Sequence, residues 1–258
     1  MTGDEHRPSP ARMYNLYLGG TYYGEIEQEF ADSTVYPLIP FIVEWAELTR
    51  GFLQRAVTFC HEQGIRQFID AGAGYPVPEG NVHEIAADAR VVYVDHDRDV
   101  AAVLAALAGG ESRLRAVHGD ISRPRDVLAR IGDSLDLSKP AALLMNSVLH
   151  SVEQPTRLVR EWVAALAPGS FLVLSHAVAG VGLASPDDRA ELVQRYLRDA
   201  VTTIPRTAEQ VAGFFGGLDL IPPGLVPAAD WRSSIPPALH DQLARRATLA
   251  GVGRKPHR

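Results

Sequence analysis

Cysteine and lysine are nearly missing from this chain. Cys60 is its one cysteine, which excludes an internal disulfide and a cysteine-rich metal cluster. Lys139 and Lys255 are its only lysines, so the positive charge is almost all arginine. With abundant alanine, this reads as the codon usage of a GC-rich genome and says little about function. No apolar run approaches the roughly 20 residues of a membrane span, so no membrane partner is expected. Met1–Pro10 is polar and lacks the apolar middle of a secretory signal, which predicts a cytoplasmic protein. The net charge is −6 without a long basic run. That argues against a surface for phosphate backbones, and no nucleic-acid partner is expected. His83-Glu84 has no second histidine four residues on, as a zinc-protease helix requires, and neither a phosphate-binding loop nor a Gly-x-Ser-x-Gly elbow is present. The nine histidines form no metal-ligand pattern, so no metal is expected.

What is present is an alternation of short apolar runs with amphipathic stretches. Apolar runs at Arg66–Asp70, Val91–Val94, Leu114–His118, Ala141–Met145 and Phe171–Leu174 predict five strands. Helices are expected between them at Asn81–Ala87, Val100–Ala108 and Arg157–Leu166. Asn81 with Glu84 three residues later resembles a capping box. Such an order implies a parallel sheet covered on both faces. Asp187–Val201 and Thr207–Phe215 read as further helices, Leu218–Ile221 and Ala247–Val252 as late strands. Ahead of the sheet, Ala11–Leu18 reads as a short helix stopped by Gly19-Gly20. Phe41, Trp45, Leu48, Phe52, Ala56 and Cys60 mark an amphipathic helix that Gly64 ends. The expected division is therefore a helical segment over 1–64, an arm or lid, appended to an α/β domain over 65–258.

The segment most informative about chemistry is Phe68-Ile69-Asp70-Ala71-Gly72-Ala73-Gly74. Ligands of doubly wound sheets sit beyond the carboxyl ends of the strands, and glycines there let backbone approach a ligand without a Cβ in the way. Asp95 ends the next strand, where a carboxylate can accept both hydroxyl protons of a ribose. Together the two strand ends specify a nucleoside-binding crevice. A dinucleotide would need a third glycine where Val77 stands, flanked by Pro76 and Pro78, and a helix starting at once to face a diphosphate. S-adenosylmethionine carries no phosphate and tolerates this loop. The expected cofactor is therefore S-adenosylmethionine, with an NAD(P)-dependent oxidoreductase as the disfavoured alternative. Gly119-Asp120-Ile121 follows the third strand, where a carboxylate can accept the adenine amino proton. Asn146 follows the fourth, beneath the expected sulfonium and methionine end.

Asp70-Ala71-Gly72-Ala73-Gly74, Asp95, Gly119-Asp120-Ile121, Asn146 and Leu166-Ala167-Pro168-Gly169 resemble the successive motifs of class I methyltransferases. More closely, Pro10-Ala11-Arg12-Met13-Tyr14-Asn15-Leu16-Tyr17-Leu18-Gly19-Gly20, Gly80-Asn81-Val82-His83-Glu84-Ile85-Ala86, Val92-Tyr93-Val94-Asp95-His96-Asp97 and Gly251-Val252-Gly253-Arg254-Lys255 resemble the bacterial S-adenosyl methyltransferase family, DUF574. The resemblance runs from about Pro8 to Lys255; Pro78 departs from it, where the family has threonine. It implies a Rossmann-like, seven-stranded, mostly parallel sheet with an antiparallel last strand. It implies methyl transfer and supplies no substrate; the acidic charge without a long basic stripe points to a small-molecule O, N or C nucleophile, with a catalytically silent protein that binds the cofactor for regulation as the alternative.

The expected cofactor contacts are Asp70, Gly72, Ala73, Gly74, Asp95, His96, Asp120, Ile121, Asn146 and Ser147. From the arm, Arg12 and Tyr14 are expected over the pocket, with Arg12 pairing with the methionine carboxylate. His150, just past the fourth strand, is the expected general base for an acceptor hydroxyl, with His176 at the end of the fifth strand as the second choice.

Overall fold

A computed structural model describes residues 7–178, 204 and 206–257. The apolar runs form strands β1 (Gln67–Ala71), β2 (Arg90–Asp95), β3 (Leu114–His118), β4 (Ala142–Asn146) and β5 (Phe171–Ala177). They lie in the order β3-β2-β1-β4-β5, and every neighbouring pair among them is parallel. These strands are apolar at consecutive positions because both faces of the sheet are covered. Side chains alternate between faces along a strand. Phe68, Leu144, Phe171 and Val173 enter one core cluster, and Ile69, Leu143, Met145 and Leu172 enter the other. The first cluster is covered by the helix Ile42–Glu62. The second is covered by Pro124–Ile131, Pro155–Ala164 and the turn through Phe215.

The chain then reverses. β8 (Thr248–Arg254) runs antiparallel beside β5 over seven paired residues. Two short pieces, β6 (Asp219–Leu220) and β7 (Val226–Pro227), pair with its other edge at different points along its length. They share the seventh position of the sheet, separated by the Pro222-Pro223 turn, where proline offers no N–H to the ladder. This is a large, mostly parallel sheet with an antiparallel strand near one edge and helices around it, as the sequence implied. The helix expected at Asp187–Val201 lies outside the described residues. The one expected from Thr207 spans Ala208–Ala212 and continues as a 3₁₀ turn to Phe215.

Residues 7–64 are not separate in packing terms. Pro10–Tyr17 and the turns up to Ile39 form a third cluster with Ile42 and Ala46. Phe52, Ala56, Val57 and Cys60 of the same long helix belong to the sheet core. One 21-residue helix thus joins the arm's cluster to the sheet. The arm is also fastened over the β1 loop: Asn15 Nδ2 donates to the Pro76 carbonyl at 3.0 Å, and Tyr22 stacks on Tyr75 with ring centroids 5.1 Å apart.

Candidate functional site

The carboxyl ends of β1, β2 and β4 open into a cavity of about 540 Å³, closed on its other side by the arm and the start of the long helix. Asp70, Gly72, Ala73, Gly74, Asp95, His96, Asn146, Ser147, Tyr14 and His150 all line it. Residues spread over 137 positions of sequence are brought together because parallel strands end on one side of their sheet.

Beyond β1 the chain turns within hydrogen-bond reach of β2. The Gly72 and Ala73 N–H groups donate to the Val94 carbonyl at 2.8 and 3.1 Å. Gly72 has φ +78°, and a Cβ there would stand 2.1 Å from Val148 Cγ2. Both the backbone angle and the space demand glycine. Gly74, at φ +67°, donates its N–H to Asp95 Oδ2 at 2.9 Å, and Asp95 Oδ1 accepts the Asp97 N–H at 3.0 Å. These bonds hold the buried Asp95 carboxylate still. A carboxylate offers about four acceptor positions, so two remain for a ribose diol. Burial lifts the Asp70 carboxyl to about 6, opposed by the positive charge of Arg50 and assisted by Asp95. At the end of β4, Ser147 takes φ +54° and donates its N–H to Ser175 Oγ at 3.0 Å; that hydroxyl donates to Asn146 Oδ1 at 2.7 Å. A left-handed serine at a strand end is the kind of local strain found at ligand sites.

His150 stands on the short turn after β4, and its partners favour one arrangement of its protons. An arginine can only donate, so Arg206 Nη1, 3.0 Å from His176 Nε2, makes that nitrogen an acceptor. The His176 proton is then on Nδ1, which donates to the Ala177 carbonyl at 2.6 Å. His150 Nδ1 lies 3.3 Å from the same His176 Nε2 and must carry a proton, or two lone pairs would face each other. That leaves His150 Nε2 as a bare lone pair, buried and without a hydrogen-bond partner. Burial, then the neighbouring His176 and Arg206, hold the His150 pKa well below the ordinary histidine value; burial brings His176 down to about 4.

Four expected contacts fall elsewhere. Arg12 does not approach the β4 end: its Nη2 pairs with Asp99 at 3.1 Å, and its guanidinium lies 5.6 Å from the centre of the Tyr75 ring. The carboxylate in the first turn behind β2 and the aromatic face hold it on the β2 side of the crevice. Asp120 does not line the cavity; its Oδ1 accepts the Ser122 N–H at 2.8 Å. Ile121 is buried in the second core cluster, and its carbonyl accepts from Trp162 Nε1 at 2.9 Å. His176 is sealed behind His150 rather than facing the cavity.

Arg50 is the cavity residue that sequence reading missed. It stands on the buried stripe of the long helix, four residues after Ala46 and three before Leu53. A lone charge on an apolar stripe was the available signal. Tyr14, which meets it in the cavity, is pushed up to about 12 by burial, with Arg50 and a bond to Asn146 acting against the shift.

The sequence profile of the S-adenosyl methyltransferase family matches residues 2–256. No curated protein matches the chain. Among solved structures, a Thermobifida fusca YX protein assigned as a methyltransferase is 32% identical, with a TM-score of 0.88 over 98% of this chain and 97% of its own. A DUF574 family protein from Streptomyces avermitilis MA-4680 is 30% identical, with a TM-score of 0.88 over 98% and 99% of the two chains. The S-adenosylmethionine-dependent methyltransferase SibL, in its apo form, is 20% identical with a TM-score of 0.50, over 83% of this chain and 56% of its own, and shares the fold alone.

Proposed function

The chain belongs to the S-adenosyl methyltransferase family, and on that basis we propose that it methylates a small molecule carrying an ionisable O–H or N–H, with His150 receiving the proton. The observation that carries this reading is the buried, unpartnered His150 Nε2 on the wall of the same cavity that holds Asp95 and the glycine turn. S-adenosylmethionine, when bound, supplies a methyl group already activated on a sulfonium. Asp95 accepts the ribose hydroxyls. Gly72, Ala73 and Gly74 give the ligand backbone to lie against, and Asp70, Asn146 and Ser147 meet its methionine end. The glycine turn fits such a group because no Cβ fills the approach.

Ile39, Phe41, Ile42, Trp45 and Val148 give the cavity an apolar wall. That surface favours an apolar, largely planar acceptor with few polar groups. The bound cofactor would supply its methyl group to the acceptor's lone pair and leave as S-adenosylhomocysteine, and His150 Nε2 would receive the proton that the acceptor gives up. Alignment supplies much of the acceleration. A base held well below the ordinary histidine pKa suits a phenol-like hydroxyl or a heteroaromatic N–H better than an alcohol, because proton transfer works best near matched acidity. The segment 1–64 acts as a lid on the α/β unit 65–258, since Tyr14 and Tyr17 cover the crevice. The acidic mouth around Asp97 and Asp99 and the negative net charge suit a small molecule better than nucleic acid. The single buried thiol of Cys60 fits a cytoplasmic enzyme.

A library of phenols and N-heterocycles, incubated with methyl-labelled S-adenosylmethionine, tests the reading. His150→Gln should cut turnover of any acceptor found by about 10²–10⁴-fold, with unchanged affinity for S-adenosylhomocysteine. Unchanged turnover would remove His150 from the chemistry and leave alignment alone.

A further inference from the structure

Arg50 is nine-tenths buried yet only partly satisfied. Its Nη2 donates to the Gly80 carbonyl at 3.2 Å and, more weakly, to Asn81 Oδ1 at 3.4 Å. Its Nε is buried with no hydrogen-bond partner, and its Nη1 makes no hydrogen bond among the described residues. A buried guanidinium with donors unused is costly unless something anionic meets it. No salt bridge to Arg50 exists among the described residues, although Asp70 lies close enough for its carboxyl to feel the arginine's charge.

The surroundings define that anion. Arg50 is the one arginine or lysine among the described residues lining the cavity, whereas Asp70, Asp95 and Asp97 also line it. S-adenosylmethionine brings two cationic groups, the sulfonium and the α-ammonium, and a single anionic one, the α-carboxylate. The carboxylates suit the cations, and Arg50 suits the carboxylate. Its position agrees. It is fastened to the far end of the β1 loop, where Asn81 in turn locks Val77 by accepting its N–H at 3.1 Å and donating to its carbonyl at 2.7 Å. This lies away from Arg12 and Asp99, which stand on the β2 side.

We propose that Arg50 is the anchor for the α-carboxylate of the cofactor, through its free Nε–H and Nη1–H groups, in place of the arm's Arg12. The inference rests on the cofactor lying in this cavity as described above. It assigns the amino-acid end of the ligand to the helix Ile42–Glu62, an element outside the glycine motif.

Isothermal titration tests it with three ligands: S-adenosylhomocysteine, its decarboxylated analogue, and 5′-methylthioadenosine, which lacks the whole amino-acid end. The wild type should prefer S-adenosylhomocysteine to the decarboxylated analogue by at least about tenfold, the scale of one charge-assisted hydrogen bond. Arg50→Gln should abolish that preference and leave 5′-methylthioadenosine binding unchanged. Arg12→Gln should leave the preference intact. Arg50→Lys keeps the charge without the fork and should retain an intermediate preference, which covers a Gln variant that fails to fold. An Arg50→Gln or Arg50→Lys protein that discriminates like the wild type overturns the proposal, as does loss of discrimination in Arg12→Gln. A folded wild type that binds none of the three ligands overturns the cofactor placement itself, a result distinct from either.

Discussion

Replacing Asp95 with alanine is the sharpest perturbation of the site, because it strikes folding and binding through the same two oxygens. In the free protein these accept the Gly74 and Asp97 N–H groups at 2.9 and 3.0 Å, and the residue is 5% exposed. Removing the acceptor leaves two backbone donors poorly served, at about 1–3 kcal/mol each. A loss of about 2–4 kcal/mol is expected once entering water relieves part of it. In a chain of this size that lowers the melting temperature by about 5–15 °C. Binding loses the acceptor for two ribose hydroxyls, each worth about 1.5–3 kcal/mol to a charged partner. Kd for S-adenosylhomocysteine should therefore rise at least about tenfold and toward a hundredfold or more. Titration with adenosine and 2′,3′-dideoxyadenosine separates the two effects. The wild type should distinguish the pair and Asp95→Ala should not. If the variant still distinguishes them, while Asp97→Ala does not, the ribose lies on Asp97 and the reasoning about the end of β2 is wrong.

Gly72→Ala should destabilise the protein through two additive terms: crowding against Val148, about 1–3 kcal/mol, and the left-handed backbone, about 1–2 kcal/mol. Adding Val148→Ala should recover the first only, which denaturant unfolding of the single and double variants would show. Asp70 ionises near 6 in the free protein, and a bound ammonium selects its ionised form. Affinity for S-adenosylhomocysteine should be level above pH 7 and fall below pH 6 by up to about tenfold per unit, and Asp70→Asn should flatten the profile. In the free protein the sign reverses for folding: Asp70, with its raised pKa, contributes stability that is present in acid and lost as pH rises through 6. His176, lowered to about 4, acts the opposite way. Its contribution is present above the unfolded histidine value near 6.5 and is lost as pH falls through 4. The two windows overlap between about pH 4 and 6.5 with opposite slopes, so His176→Phe should make stability rise more as pH falls through that range, while Asp70→Asn should make it fall more.

Much of this protein is determined by local pattern. Five apolar runs covered on both faces can only be a parallel sheet with helices on each side, because alternate residues of β1, β4 and β5 all need an apolar partner. Asp70, Gly72, Gly74 and Asp95 were legible because strand ends converge on one side of such a sheet, and Gly72 has neither the space nor the φ for a side chain. Tertiary structure alone decided the rest. Arg50 sits in a helix whose apolar spacing announces packing, and only its meeting with the β1 loop leaves its Nε unpaired. Arg12 and Arg50 are both arginines ahead of the sheet, and the apolar stripe around Arg50 does not say which cavity it meets. Asp99 and Tyr75 draw one aside, and burial holds the other in the cavity. His150 and His176 were the first and second candidates for a base, at neighbouring strand ends. Arg206, distant in sequence from both, takes the His176 lone pair and leaves that of His150 without a partner, on a residue that lines the cavity. Spacing cannot carry such a choice, because it depends on which donor a fold brings to which nitrogen.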